Sequence, residues 1–254
     1  VPPRTARERA RDQITADILA AGRTRLAEEG PAGLSLRAVA RDVGMVSSAV
    51  YRYFASRDEL LTALLVLAYD DLGSAAEDAD AAIADRGDVR LRWAAALRSI
   101  RRWALANPGD YALLYGSPVP GYAAPQTTIE PAVRVIVVIL RIVTEAHRAG
   151  VIEVPTDTNG AGTETGAAAD AAADAAAVAG AARFVRERGL VEGTEPVPVP
   201  LVVRTLMAWT TVFGTISFEL FGHLVGSVSD ADAYFDIVID RLARDLGFTG
   251  ATGS

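Results

Sequence analysis

Residues 34–60, LSLRAVARDVGMVSSAVYRYFASRDEL, decide how the chain is read. Leu36, Val39, Ala40 and Val43 recur at helical spacing behind Ser35, a residue type suited to an N-cap, and Gly44 stops that helix. A second short helix follows over Ser47–Phe54, with Val50 and Phe54 on its inner face and Met45 just before it. Its free face carries Ser47, Ser48, Tyr51 and Arg52. In Ser56-Arg57-Asp58-Glu59 the Ser stands at an N-cap with Glu three residues on, so a third, long helix opens there and runs to about Ala82.

Two helices joined at a glycine, the second with small, aromatic and basic groups on its free face, suit the DNA major groove. Ser47, Ser48 and Ala49 are short enough for the backbone to approach base edges, offering hydroxyls and a methyl contact to thymine. Tyr51 and Arg52 are long enough to reach the flanking phosphates, and Tyr53 joins them as a candidate contact. Ser35 and Arg37 begin the preceding helix, where a hydroxyl and free N–H groups hold a phosphate; Arg57 stands at the next helix start in the same way.

The net charge of −7 hides a division. Residues 1–57 hold ten Arg against six acids, a balance of +4, and the remainder holds 15 Arg against 26 acids, a balance of −11. A basic end on an acidic body fits local phosphate contact without general stickiness to polyanions. The 254 residues, half of them hydrophobic, can bury a sizeable core as one large or two smaller domains. Cysteine is absent, which excludes disulfides and thiolate metal sites, and every basic residue is arginine. No targeting signal is visible. The longest uncharged apolar stretch, Thr205–Phe218, has fourteen residues against the roughly 20 that cross a bilayer. The expectation is a soluble, cytoplasmic protein with no membrane partner.

Elsewhere the pattern is helical throughout. A first helix runs from about Thr5 to Glu29 and ends at Gly30-Pro31. Val89–Ala106 follows, then a short helix over Pro108–Tyr115 with Asn107 as N-cap, and a Pro- and Gly-rich loop over 116–125. Thr128–Ala149 stops at Gly150. Residues 156–166 have linker composition and 167–182 are almost all Ala, so 156–182 reads as a low-complexity insertion packed loosely on the surface. Leu201–Leu224 and a last helix, capped by Ser229 with Asp232 and ending at Gly247, precede a disordered tail over 248–254. No stretch reads as a strand. The fold class is all-α: an N-terminal three-helix helix-turn-helix domain over 1–55, then a helical bundle over 56–247.

GMVSSAVYRYFASRDELL resembles the DNA-binding segment of the TetR family of bacterial transcriptional regulators. The matching features are Gly44, a turn of small residues, Tyr51 and Phe54, then a capped helix with Arg57 and Leu60. ILAAGRTRLAEEG, residues 18–30, is similar to that family's first helix. Val46 departs from the pattern, because a hydroxyl residue usually caps the recognition helix there. RRWALANPGDYALLYGSPVPGY (101–122) and AWTTVFGTISFELFG (208–222) are similar to the C-terminal domain of the subgroup named for Trp, His and Gly. Trp209 and Gly214 fit, whereas Phe213 stands where the His is usual.

The resemblance implies a homodimeric regulator, a repressor whose two recognition helices enter successive major grooves of a near-palindromic double-stranded operator. It also implies a small-molecule effector, held among the middle helices, that releases the DNA. An activator, or a helical small-molecule sensor or adaptor that does not bind DNA, is the alternative.

Helical bundles bind small molecules between helices, in apolar pockets with a few polar groups. Trp103, Tyr111, Tyr115, Tyr122, Trp209 and Phe213 are the candidates here, the Tyr hydroxyls foremost because a buried one needs a partner. Leu201–Leu224 is apolar on nearly all sides, too much for one buried stripe. Phe218, Leu220, Phe221 and Leu224, with Tyr234, Ile237, Ile239 and Leu242 of the last helix, are therefore candidates for a four-helix interface across a twofold axis. No cofactor or metal site is expected: His223 follows Glu219 by one turn, but two such ligands make a poor site. Nor is an enzyme, since the i,i+4 carboxylates Asp170/Asp174 and Asp236/Asp240 have no nucleophile–base set beside them.

Overall fold

The computed structural model describes residues 5–152, 164–190 and 197–248, with the backbone alone over 164–170. The expected linker residues 156–163, Pro196 and the tail 249–254 lie outside them. Eleven α-helices and no strand occur among the described residues, which meets the all-α expectation. The helices are α1 (Ala6–Gly33), α2 (Leu36–Asp42), α3 (Ser47–Val50), α4 (Arg57–Ala81), α5 (Val89–Ala106) and α6 (Pro108–Tyr115). After a 3-10 turn over Gln126–Thr128 come α7 (Ile129–Arg148), α8 (Glu164–Ala177), α9 (Ala179–Glu187), α10 (Val199–Leu220) and α11 (Ala231–Asp245).

The chain forms two compact units, residues 1–74 with 102–134, and residues 75–101 with 135–254. In the first unit Thr5 caps α1 and exchanges hydrogen bonds with Glu8. The helix is interrupted at Gly30, whose φ of +71° suits only glycine without strain, and resumes over Pro31–Gly33. Its core gathers Ile18 and Leu26 of α1, Leu36, Val39 and Ala40 of α2, Val50, Phe54, and Leu60, Leu61 and Leu64 of α4. The capped start of α4 is as expected, with Glu59 N–H donating to Ser56 Oγ at 3.1 Å; Glu59 itself reaches back to the Ala55 N–H rather than to Ser56.

In the second unit Trp93 of α5 is fully buried, donates Nε1–H to the Ile239 carbonyl at 2.9 Å, and meets Phe248 edge-on. Phe248 is thus part of the core and pairs in an isolated bridge with Ile152, which corrects the expectation that the tail begins there. A buried Arg92 bonds Asp80 twice, at 2.7 and 3.2 Å, and Glu145 at 2.7 Å. The Ala-rich α8 and the α9 that follows lie beside α10, and residues 171–174 stay exposed.

Three other local expectations change. Asp230, not Ser229, caps α11, accepting the Ala233 N–H at 2.9 Å. Asn107 holds the N-cap position of α6, but its side chain donates back to the Trp103 carbonyl and makes no cap. Helix α10 ends at Leu220, because the chain turns through Gly222 at φ +78°. By length and composition α10 could cross a membrane, since the helix continues past Arg204, which bounded the uncharged run; its inner face, Leu201, Ala208, Val212 and Ile216 included, is buried within the unit.

Candidate nucleic-acid interface

Helix α2 closes in a left-handed Gly44 (φ +69°), and Met45 N–H reaches back to the Ala40 carbonyl at 2.8 Å. That paired closure sends the chain sharply into α3. The expected helix over Ser47–Phe54 is α-helical for a single turn and then tightens. Arg52 N–H donates to Ala49 and Tyr53 N–H to Val50, both i→i−3, before Phe54 N–H returns to Val50. Val50 and Phe54 are buried as the pattern required, and they fix which face turns outward.

On the outward face Arg37, Arg41, Ser47, Ser48, Tyr51 and Arg52 are exposed, whereas Ser35, Ala49 and Tyr53 are half-buried. Arg11 of α1 leans over the Tyr53 ring at 5.4 Å and donates to the Arg52 carbonyl, tying the end of the motif to α1. Val46 occupies the N-cap position of α3 with no side-chain cap and is 71% exposed. Asp42, the one acid on α2, is answered by Arg25 through two bonds of 2.5 and 2.9 Å, which hold its carboxyl below the usual range.

Arg57 departs from the role expected of it. Its guanidinium donates to the carbonyls of Leu34 at 2.8 Å and of Pro31 and Ala32 at 3.0 Å. These are the carbonyls left over where α1 ends and α2 begins, so Arg57 braces that corner. Arg23 plays a similar part further along α1, pairing with Asp71 of α4 at 2.5 Å and Asp110 of α6 at 2.8 Å. Burial raises the Asp110 carboxyl's pKa, an effect that Arg23 opposes without cancelling and the charge of Asp71 reinforces.

The six aromatic pocket candidates separate. Trp103, Tyr111, Tyr115 and Tyr122 belong to the first unit; Trp209 and Phe213, whose rings meet edge-on at 6.3 Å, belong to the second. The rings of Tyr111 and Tyr115 meet at a tilt of 43° with centroids 5.1 Å apart, Tyr69 of α4 meets Tyr115 edge-on, and Tyr122 OH and Thr62 Oγ1 share a 2.9 Å hydrogen bond. Burial pushes the Tyr115 phenol well above its ordinary pKa, and Tyr69 likewise. Tyr69 and Thr62 were missed because nothing distinguishes them within the apolar run of α4. The Trp209 indole N–H is buried with no hydrogen-bond partner among the described residues.

Of the interface candidates, Phe218, Phe221, Tyr234 and Ile237 are exposed, and Leu220 and Leu224 half-buried, beside a hollow of about 200 Å³ at Gly214 and Phe218. Ile239 instead turns inward to Trp93. A cleft of about 550 Å³ between α5 and α11, which the sequence did not suggest, is lined by Leu91, Trp93 and Ile239. Arg98 pairs there with Asp236 and Arg90 with Asp240, so the Asp236/Asp240 pair is occupied in ion pairs. No group of three or more metal-binding side chains occurs among the described residues.

Comparison with known proteins agrees with this geometry. Residues 18–64 match the model for bacterial regulatory proteins of the tetR family, and residues 93–242 match that for the tetracyclin repressor-like C-terminal domain. The chain is 40% identical over 233 residues to the HTH-type transcriptional regulator Rv1816 of Mycobacterium tuberculosis (strain ATCC 25618 / H37Rv), covering 91% of both chains. The same figures hold for the HTH-type transcriptional regulator Mb1846 of Mycobacterium bovis (strain ATCC BAA-935 / AF2122/97). A crystal structure described as that of a regulatory protein, SCO4313, superposes with a TM-score of 0.68 at 31% identity, over 95% of this chain and 98% of that one. A Rhodococcus sp. RHA1 protein of unknown function gives 0.65 at 25% identity, over 92% and 95%. With its helix-turn-helix and its helical C-terminal domain both matched, the chain belongs to the TetR family of bacterial transcriptional regulators, which bind DNA and are not enzymes.

Proposed function

We propose that the chain is a ligand-responsive repressor, bound to a near-palindromic operator as a homodimer and released by a small molecule. One observation carries the DNA-contacting part: Arg37 and Arg41 of α2 and Arg52 after α3 are exposed, as are Ser47 and Ser48, and no carboxylate pairs with these three arginines among the described residues. Phosphate contacts fall to Arg37, Arg52 and Tyr51, with Ser35 beside them; base edges are met by Ser47, Ser48 and Ala49. Residues 1–55 would form the DNA-binding domain and 56–247 the effector and dimer domain, in the cytoplasm.

Release needs a path from effector to α1. Helix α6 packs on α1 and is joined to it by Arg23–Asp110, and Tyr115 of α6 meets Tyr69 of α4 edge-on. An effector seated among those tyrosines would favour one placement of α6, and hence of α1. It acts through its differential affinity for the two placements, not through tight binding alone.

Fluorescence anisotropy with a duplex from upstream of the chain's own gene, over a salt series, tests the reading. The wild type should bind with a steep salt dependence, and Arg52→Ala should weaken binding on all sequences and lower the slope by roughly one unit. No duplex binding in the wild type sinks the proposal; an unaltered slope removes Arg52 from the phosphate contacts.

A further inference from the structure

We infer that Val46 is a specificity-determining residue that reads the 5-methyl group of one thymine in each operator half-site. The inference rests on the DNA-binding role proposed above. Among residues 5–60 the exposed large apolar side chains are Val46, at 71%, and Tyr51, at 45%, and both fall on the recognition turn. A lone exposed valine is ordinary on a protein surface. This one sits at the N-cap of a helix one turn long, where Ser, Thr, Asp or Asn would bond a free N–H, and no side-chain cap replaces what is lost. Valine therefore gives up a local hydrogen bond and gains nothing by burial within its own chain.

The geometry accounts for the exposure. Val46 is extended, at φ −66° and ψ 140°, and its carbonyl accepts the Ala49 N–H at 2.8 Å. Met45 before it packs against the core, so the next side chain points away. Ser47 and Ser48 follow it on the exposed surface and are too small to cover it. An isopropyl group followed by two exposed short hydroxyl side chains has one apolar counterpart on the major-groove edges of the bases, the thymine methyl. Serine at this position would offer a hydroxyl to a phosphate or to its own helix, and would be indifferent to that methyl.

Uracil tests the inference directly, because it pairs and hydrogen-bonds like thymine and lacks only the methyl. The full chain first selects its preferred duplex from a random pool, and each thymine of that duplex is then replaced singly by uracil. One replacement per half-site should weaken binding about fourfold, the loss expected for one buried carbon group. Val46→Ser should bind the thymine and uracil duplexes equally. If Val46→Ser binds neither, Val46→Gly, which has no methyl to offer, carries the comparison with the same expectation. A preferred half-site without thymine, or uracil penalties that match in wild type and variant at every position, overturns the inference and leaves the DNA-binding reading intact. Selection that yields no preferred duplex overturns both.

Discussion

Gly109 of α6 lies directly on the backbone of Ala27 in α1: a Cβ built on it would stand 2.6 Å from the Ala27 amide nitrogen and 2.7 Å from the Leu26 carbonyl carbon. Both atoms belong to a helix backbone, which cannot step aside as a flexible side chain can. Gly109→Ala should therefore force α6 away from α1 and cost about 1–3 kcal/mol. A lowered urea midpoint with an unaltered slope is the expected reading. An unchanged midpoint would mean that the two helices separate without cost and that the close approach is not required for stability.

That contact also shows where sequence reading stops. Local chemistry was legible: Gly44 as a helix stop, Ser56 as a cap, and Val50 and Phe54 as the inward pair all follow from spacing and residue type. Ser229 and Asp230 are adjacent and equally suited to a cap, so pattern alone did not separate them; the backbone turn chose Asp230. Arg57 could not be placed from its neighbours, because its three carbonyl partners lie 23 to 26 residues away. Gly109 reads as one more glycine after a proline until α1 is packed on it. The aromatic candidates are buried or half-buried, but no periodicity shows that α4 sets Tyr69 edge-on to Tyr115 and that Trp209 belongs to the other unit.

The brace at Arg57 makes its own prediction. Removing the guanidinium leaves the Leu34, Pro31 and Ala32 carbonyls without their donor at the corner that sets α2 against α1. Arg57→Ala should lower stability by about 2 kcal/mol, within the range for bonds to a charged group. Arg57→Lys should recover little of it, because one ammonium cannot match a planar fork aimed at three acceptors. Denaturant unfolding measures both. Full recovery by lysine would show that charge rather than fork geometry holds the corner.

Buried Asp80 should leave a mark on the pH dependence of stability. Burial alone would raise its pKa, but hydrogen bonds from Arg92 and Arg86 outweigh that and hold it below the ordinary value. A carboxyl lowered on folding stabilises the protein above its unfolded pKa, near 4, and that contribution is lost as pH falls through the lower, folded value. Asp80→Asn leaves the buried Arg92 with Glu145 as its remaining carboxylate, and should cost about 3 kcal/mol at pH 7. The gap between variant and wild type should begin to narrow as the pH falls below about 4 and close only below the lower, folded value, where both side chains are neutral. A gap that stays constant across the titration would show that the loss is one of packing, not charge.

Ile237 tests the proposed dimer interface. It is 51% exposed on α11, one turn from exposed Tyr234, which shares a hollow with exposed Phe218 of α10. Beneath it the backbone is firmly held. Arg101 grips Glu219 of α10 through two bonds of 2.7 and 2.6 Å, reaches Asp232 of α11 at 2.6 Å, and lies over the Phe235 ring. The patch is therefore presented on two helices whose relative placement is set before any partner arrives, which limits the ordering cost of association. Ile237→Asp adds a charge that remains hydrated in the monomer but would lose water in a dimer. Circular dichroism should be unaltered, while light scattering at micromolar concentration should fall from twice the chain mass to the chain mass. Operator affinity should fall with it, because each half-site would be bound without its tethered neighbour. A wild type that is already monomeric, or a variant that keeps the wild-type mass, would place the dimer contact elsewhere.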